Sequence, residues 1–418
     1  MTDCVIFTLG CRLNHADTAL MTGRLEKSGY RVAEKIDPAN PPSLVIVNSC
    51  AVTSEAVAKT RQMVRKLRRQ LPFARIAVLG CAAMMDADNL AGCGADIVRG
   101  NAFKADAPHF KAETLFTDVF KENAVSEFPF RTRSFIKVQE GCNNFCTYCI
   151  VPYLRGRERS RDYDEIIADC RHAVESGTPE IVLTGVNITT YRAGGRDFAD
   201  LLHDVASLDG DFRVRIGSAE PSPGQEKLLA VMAENPKICR FLHLSLQHGS
   251  EKILQAMHRR YTPAEFADFC EKARELIPGV HIGTDVIVGF PGETEEDFAV
   301  SLDFIEKMGF ANIHRFIYSP RQGTAAAALP GRVHGDVARE RSGRLAAVAE
   351  KSAARFIRAQ WGRELPVIFE RESGGLLRGW SDNYLAVTAP SGAFPVRRIV
   401  NVPAGKNNTG QGMTADFI

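Results

Sequence analysis

The chain has no long apolar run: none of its hydrophobic stretches could cross a bilayer. Its opening residues, Met1-Thr2-Asp3-Cys4-Val5-Ile6-Phe7, hold no basic region followed by a signal-length apolar stretch, so a soluble cytoplasmic protein with no membrane partner is expected. A charge excess is missing too. Lys and Arg number 52 against 50 Asp and Glu, a formal net charge of +2, so any nucleic-acid binding must come from local basic patches. There is no long internal repeat and no strongly low-complexity tract. What remains is ordinary globular composition, 45% hydrophobic and 24% charged over 418 residues, enough for two or three domains.

Cysteine is plentiful. Eleven cysteines without an export signal point to a reducing compartment, where they serve as thiols or metal ligands. Three of them form the run Gly141-Cys142-Asn143-Asn144-Phe145-Cys146-Thr147-Tyr148-Cys149. A C-x3-C-x2-C loop supplies three corners of a four-iron cluster, and a fourth iron lacking a protein ligand is a place where a substrate can bind. A zinc site would want a fourth soft ligand nearby, and no Cys or His follows within a dozen residues.

The first third alternates short apolar strands with helices: Val5–Thr8, Leu44–Val47 and Arg75–Leu79 as strands, Thr18–Ser28 and Ser54–Gln70 as helices with Ser54 as cap. This pattern predicts a parallel, helix-covered sheet. Cys11, Cys50 and Cys81 each follow a strand, in Leu9-Gly10-Cys11, Asn48-Ser49-Cys50 and Leu79-Gly80-Cys81. The carboxyl ends of parallel strands share one edge, so the three should converge. Cys4 and Cys93 lack that position and read as structural.

After a linker at about 101–130, a longer alternation begins. Strands are expected at Phe135–Gln139, Glu180–Thr184, Arg213–Gly217, Phe241–Leu246, Gly283–Val288 and Ile313–Tyr318, with helices such as Asp164–Ser176 and Pro263–Leu276 between them. Six such units fit an incomplete parallel barrel, whose active residues lie at the carboxyl ends of its strands. The cysteine loop begins just after the first. From about Glu364, short strands at Pro366–Glu370, Tyr384–Val387 and Val396–Val400, with Gly and Pro turns, suggest a small β-barrel. The fold class is therefore α/β: an N-terminal parallel domain (1–125), a central partial (βα)6 barrel (130–350) and a small C-terminal β-barrel (360–418).

On these residues the chain resembles the methylthiotransferase family of radical S-adenosylmethionine enzymes. The resemblance implies a [4Fe–4S] cluster on Cys142, Cys146 and Cys149 that binds S-adenosylmethionine, a second [4Fe–4S] cluster on Cys11, Cys50 and Cys81 that presents sulfur, and a TRAM-like RNA-binding tail. It implies two molecules of S-adenosylmethionine per turnover, one split to a 5′-deoxyadenosyl radical and one giving a methyl group. Thr8-Leu9-Gly10-Cys11-Arg12-Leu13-Asn14, Leu183-Thr184-Gly185-Val186-Asn187 and His243-Leu244-Ser245-Leu246-Gln247 look like the branch acting on N6-threonylcarbamoyladenosine. That base lies beside the anticodon, at tRNA position 37, so the implied partner is the anticodon stem-loop. The electron donor, flavodoxin-like or ferredoxin-like, is not specified. The chain departs from family habit at Ala82, where Gln is common soon after the cysteine, and at His248, where Ser is common.

Expected cofactor contacts follow the strand ends: Gly185 and Asn187, Ser218 and Glu220, Gly289 and Pro291, and Tyr148 within the loop. Basic candidates for RNA are Lys59, Arg61, Arg65, Lys66, Arg68 and Arg69 on one helix, Arg155, Arg157, Arg159 and Arg161 after the loop, and His258, Arg259 and Arg260. Trp380 and Tyr384 are expected either to stack on bases or to pack within the tail. Competing readings are the same chemistry on isopentenyladenosine or a ribosomal-protein aspartate, a non-catalytic RNA-binding iron–sulfur protein, and an ordinary methyltransferase, which has no need of six strand-end cysteines.

Overall fold

The computed structural model describes residues 2–101, 132–221, 225–406 and 413–415. Most of the linker expected from the sequence lies outside them. The first domain is a five-stranded, all-parallel sheet of β1 (Thr2–Thr8), β2 (Tyr30–Ala33), β3 (Leu44–Ser49), β4 (Arg75–Gly80) and β5 (Ile97–Arg99), in the order β2-β1-β3-β4-β5. All six residues of β3 are buried, as helices on both faces require. Helix Ser54–Gln70 shows the usual logic of a covering helix: Val57, Thr60, Val64 and Leu67 are buried along one face while its arginines point outward. Its cap is Thr53, whose Oγ1 accepts from the Ala56 amide at 3.2 Å, not the expected Ser54. Ser54 is the first helical residue and its hydroxyl instead meets Ser319 Oγ at 2.9 Å. The first helix, Arg12–Lys27, begins earlier than its apolar pattern indicated.

The central domain contains β6 (Arg133–Lys137), a short antiparallel pair of β7 (Gln139–Glu140) and β8 (Arg159–Ser160) that brackets the cysteine loop, β9 (Glu180–Thr184), a hairpin of β10 (Arg192–Ala193) and β11 (Arg196–Asp197), β12 (Arg213–Ile216), β13 (Ser218–Ala219), β14 (Phe241–Gln247), β15 (His281–Val288) and β16 (Asn312–Ile317). Two parallel arcs, β12-β9-β6 and β13-β14-β15-β16, make the wall. Among the described residues β6 and β16 are not paired to each other, so the barrel is open along that side. Helix Arg12–Lys27 of the first domain packs beside β6.

The tail is a small barrel of β17 (Glu364–Ser373), β18 (Leu376–Ser381), β19 (Ala386–Pro390), β20 (Ile399–Lys406) and β21 (Met413–Ala415), ordered β17-β18-β19-β21-β20 and closed by the β17–β20 pair. The sequence reading missed β18 and placed two neighbours a few residues early. Tyr384 lies in a left-handed turn between β18 and β19, with φ at 59°. The tail docks under the amino end of the central barrel. Arg213 donates to the Pro366 and Trp380 carbonyls at 3.0 and 3.1 Å, and Arg240 forms a two-point ion pair with Asp382.

Candidate active site

The strand register brings the first three cysteines together. Thr8, Asn48 and Leu79 form one aligned row across β1, β3 and β4, and Cys11, Cys50 and Cys81 fall two or three residues beyond it. Gly10, at φ +103°, has no room for a side chain because Cys50 occupies the space where a Cβ would go. Burial pushes the Cys50 thiol up to about 11, and the neighbouring sulfurs of Cys11 and Cys81 push the same way. Asn101 Nδ2 points at Cys81 Sγ from 3.3 Å. These are free thiols with a polar donor at hand, a donor set that fits a soft, cationic inorganic cluster.

The second trio sits at the carboxyl end of the first barrel strand. Gly141, at φ +72°, is pressed against the Arg157 carbonyl, which turns the chain into the loop. The Asn144 amide donates to Cys142 Sγ at 3.4 Å, and Arg259 Nη1 donates to Cys146 Sγ at 3.2 Å. Burial lifts Cys149 to about 12, with Cys146 and Cys142 adding to the shift. An N–H and a guanidinium aimed at sulfur are the partners expected of a thiolate cluster ligand. Sequence reasoning took Arg259 for an RNA contact; its burial and its reach to Cys146 correct that.

The loop trio lines a cavity that reaches the segment following Cys50, though not Cys11, Cys50 or Cys81 themselves. This cavity of about 280 Å³ is lined by Cys142, Cys146 and Cys149 on one side and by Val52 and Thr53, just beyond Cys50, on another. The segment after Cys149 completes the link: Ile150 and Leu154 are buried in the core of the first domain together with Cys81, Ala82 and Ala83. Asn101 ties the same pair, donating to the Leu154 carbonyl at 2.9 Å.

Of the expected cofactor contacts, Tyr148, Asn187, Ser218 and Glu220 line this cavity. Glu220 is the polar hub. It accepts from Asn144 and from Asn187 Nδ2 (3.2 Å) and pairs with Arg259 at 2.9 Å. Gly185, Gly289 and Pro291 do not line it. A Cβ at Gly185 would meet Gln139, and one at Gly289 would meet Ala338, so both glycines serve close packing of protein on protein. Ser245 and Gln247, part of the His243–Gln247 motif, line the cavity, as do Asp285 and Phe316, which the sequence did not mark. Period-two alternation along β14, β15 and β16 was the available signal, because it puts those residues on the inner face.

The basic candidates divide. Arg155 is buried between Asp17 (3.1 Å) and Glu140 (2.6 Å), beside Lys137, which pairs with the same two carboxylates at 3.0 Å each. Arg161 is buried against Asp169. Arg61 and Arg68 pair with Asp86 and Asp96, and Lys59 with Glu55. Arg157 lies over the Phe145 ring, 4.4 Å from its centroid. Arg65, Lys66 and Arg69 stay exposed with no acidic partner among the described residues. Trp380 and Tyr384 stack on each other at 4.8 Å, and Tyr384 packs on Phe241 of the central barrel.

An open parallel barrel with a three-cysteine loop at the end of its first strand defines a class, the radical S-adenosylmethionine enzymes. The Radical SAM superfamily model matches residues 136–305, and that of the uncharacterized protein family UPF0004 matches residues 3–100. A Bacillus subtilis protein named threonylcarbamoyladenosine tRNA methylthiotransferase MtaB is 35% identical over 96% of this chain and 93% of its own. A Bifidobacterium adolescentis protein named tRNA-2-methylthio-N(6)-dimethylallyladenosine synthase is 36% identical over 88% of this chain and 81% of its own. The solved structure of the radical S-adenosylmethionine methyltransferase TsrM from Kitasatospora setae shares the fold with a TM-score of 0.56 at 13% identity, over 90% of this chain and 79% of that one.

The chain belongs to the tRNA methylthiotransferase family of these enzymes. Membership in the class implies a [4Fe–4S] cluster and S-adenosylmethionine. No helix among the described residues is long and apolar enough to cross a membrane.

Proposed function

We propose that this protein methylthiolates tRNA, converting N6-threonylcarbamoyladenosine beside the anticodon to its 2-methylthio form, with two [4Fe–4S] clusters and two S-adenosylmethionine molecules per turnover. The observation that carries this is the cavity lined by Cys142, Cys146 and Cys149 and bordered by Val52 and Thr53, next to the strand ends that bring Cys11, Cys50 and Cys81 together. When bound, the cluster on Cys142, Cys146 and Cys149 supplies the electron that cleaves S-adenosylmethionine, and the one on Cys11, Cys50 and Cys81 supplies sulfur.

The chain's own residues do the rest. Glu220 suits the amino group of S-adenosylmethionine, and Arg259, paired to Glu220 and to Cys146, suits its carboxylate. Tyr148, Ile287, Phe316 and Ile317 surround the cavity with apolar surface that keeps water from a reactive carbon radical. The exposed Arg65, Lys66 and Arg69 and the tail barrel are the surfaces offered to the RNA backbone, and the domain limits remain 1–125, 130–350 and 360–418. A flavodoxin-like or ferredoxin-like protein in the cytoplasm would deliver electrons.

The test is anaerobic reconstitution followed by iron and sulfide analysis and by mass spectrometry of tRNA nucleosides. Cys146→Ala and Cys50→Ala should each lose half of the iron. Cys146→Ala should abolish 5′-deoxyadenosine, whereas Cys50→Ala should still form it but make no methylthio product. Full iron retention in either variant, or methylthio product from both, would remove the two-cluster reading. The relatives' names divide between two modified adenosines, so the nucleoside analysis must include both substrates.

A further inference from the structure

The inner wall of the open barrel side carries a polar array that the cluster chemistry leaves unused. Asp285 on β15 stands between two imidazoles. His243 Nε2 of β14 is 3.1 Å from its Oδ1, and His314 Nδ1 of β16 is 3.2 Å from the same oxygen. Asn312 Nδ2 lies 3.0 Å from the far nitrogen of His314. Burial pushes the Asp285 carboxyl up, but the hydrogen bonds from His243 and His314 outweigh that and leave it well below the ordinary carboxylate range. Gly283, one inward position earlier on β15, gives His243 its space: a Cβ there would sit 3.2 Å from His243 Nδ1.

The hydrogen-bond arithmetic fixes what the array offers. A carboxylate only accepts, so each imidazole presents an N–H to Oδ1, and the outer nitrogen of His314 accepts from Asn312. Oδ2 of Asp285 has no partner among the described residues, and Asp285 lines the cavity. His314 is 53% exposed at the barrel's open side. Two residues further along each strand the wall turns apolar, at Ile287 and Phe316. The inner face thus runs from a polar floor at Asp285 and His314 to an apolar band at Ile287 and Phe316, next to the cysteine loop.

We propose that the His243–Asp285–His314 array, with Asn312, reads the substituent on N6 of the target adenosine and selects a hydrogen-bonding one over a hydrocarbon one. This rests on the methylthiotransferase reading above. In adenine the C2–H and the N6 group leave the ring in diverging directions. A base stacked on Phe316 with C2 towards the cysteines sends N6 back towards Asp285. A threonylcarbamoyl group brings urea N–H and hydroxyl donors for Asp285 Oδ2, and acceptors for the Asn312 amide. A dimethylallyl group brings only carbon beyond its N–H. It would strip water from an ionised carboxylate without replacing the hydrogen bonds, and a site built to bond a polar group rejects an analogue lacking it strongly. Overall identity to named relatives is nearly the same for both branches, so the discrimination must come from local chemistry of this kind.

The experiment uses the reconstituted full chain and two anticodon stem-loop hairpins, one with N6-threonylcarbamoyladenosine and one with N6-isopentenyladenosine. It reads kcat/KM for methylthio product and, separately, hairpin affinity by fluorescence anisotropy. The wild type is expected to favour the threonylcarbamoyl hairpin by about 100-fold or more. His314→Phe should collapse that ratio to about tenfold or less, and His314→Gln should keep most of it, because an amide still donates and accepts. The ratio carries the test, since a merely structural loss lowers both substrates together. An unchanged ratio in His314→Phe, or a wild-type preference for the isopentenyl hairpin, overturns the proposal. So does stoichiometric zinc or other non-iron metal in the wild type that disappears in His314→Phe, which would make the array a metal centre. If the wild type forms 5′-deoxyadenosine yet modifies neither hairpin, the methylthiotransferase reading itself has failed and the inference goes with it.

Discussion

Arg259 places a cation and an N–H donor against the sulfur of Cys146. Both favour the more negative, reduced state of a cluster bound there. Arg259→Met should therefore keep its iron but move the midpoint potential of that cluster to a more negative value, with slower formation of 5′-deoxyadenosine. A redox titration followed by electron paramagnetic resonance checks it, and an unmoved potential would contradict it. His281 offers a second prediction. Burial, then the charges of Arg215 and the neighbouring His243, push its imidazole down to about 3, against a smaller opposing pull from the Asn383 backbone. The unfolded chain takes up that proton near the ordinary histidine value. Between there and about 3 the unfolded state binds more protons, so stability should fall as pH drops through this window. His281→Phe should flatten the upper part of the slope in a series of thermal melts, above the range where carboxylates titrate. The grouping of Cys142, Cys146 and Cys149 was legible from their local spacing, and that of Cys11, Cys50 and Cys81 from their common place after parallel strands, which share one edge. Arg259 was not, because the pairing that defines it spans 113 residues and only the barrel closes that gap.

The strand–turn element recurs in both halves of the site, and a glycine sets each turn. An alanine at Gly10 would need a left-handed backbone and would drive Cys50 aside. If Cys11, Cys50 and Cys81 hold the proposed second cluster, Gly10→Ala should lose that cluster's iron while 5′-deoxyadenosine still forms. Iron analysis together with 5′-deoxyadenosine assays would show it, and full iron retention would count against it. Elements were readable in proportion to their burial. The all-buried β3 and β9 appear where apolar runs put them, since a strand covered on both faces has no other composition. The tail strands alternate between core and solvent over a few residues, so β18 was missed and its neighbours slipped. The helix cap moved from Ser54 to Thr53 because the barrel claims the serine hydroxyl, a competition invisible along the chain.

At the scale of the molecule, the first and central domains meet over a buried quartet of two carboxylates and two cations: Asp17, Glu140, Lys137 and Arg155. Such a set is weak evidence of stability while complete, but removing one member strands a charge and costs about 3–5 kcal/mol. Lys137→Met should lower the melting temperature and speed proteolysis between the two domains, and a variant as resistant as the wild type would show that the quartet does not hold them. This joint is not visible along the chain, because its members stand up to 138 residues apart. The same applies to Ile150 and Leu154, which belong to the central domain by position and to the first domain by packing. That borrowed pair has a practical outcome for protein engineering. Any hybrid that swaps whole front halves between relatives of different substrate preference inherits a mismatched plug, and altered preference is better sought through point changes on the barrel wall than through exchange of modules.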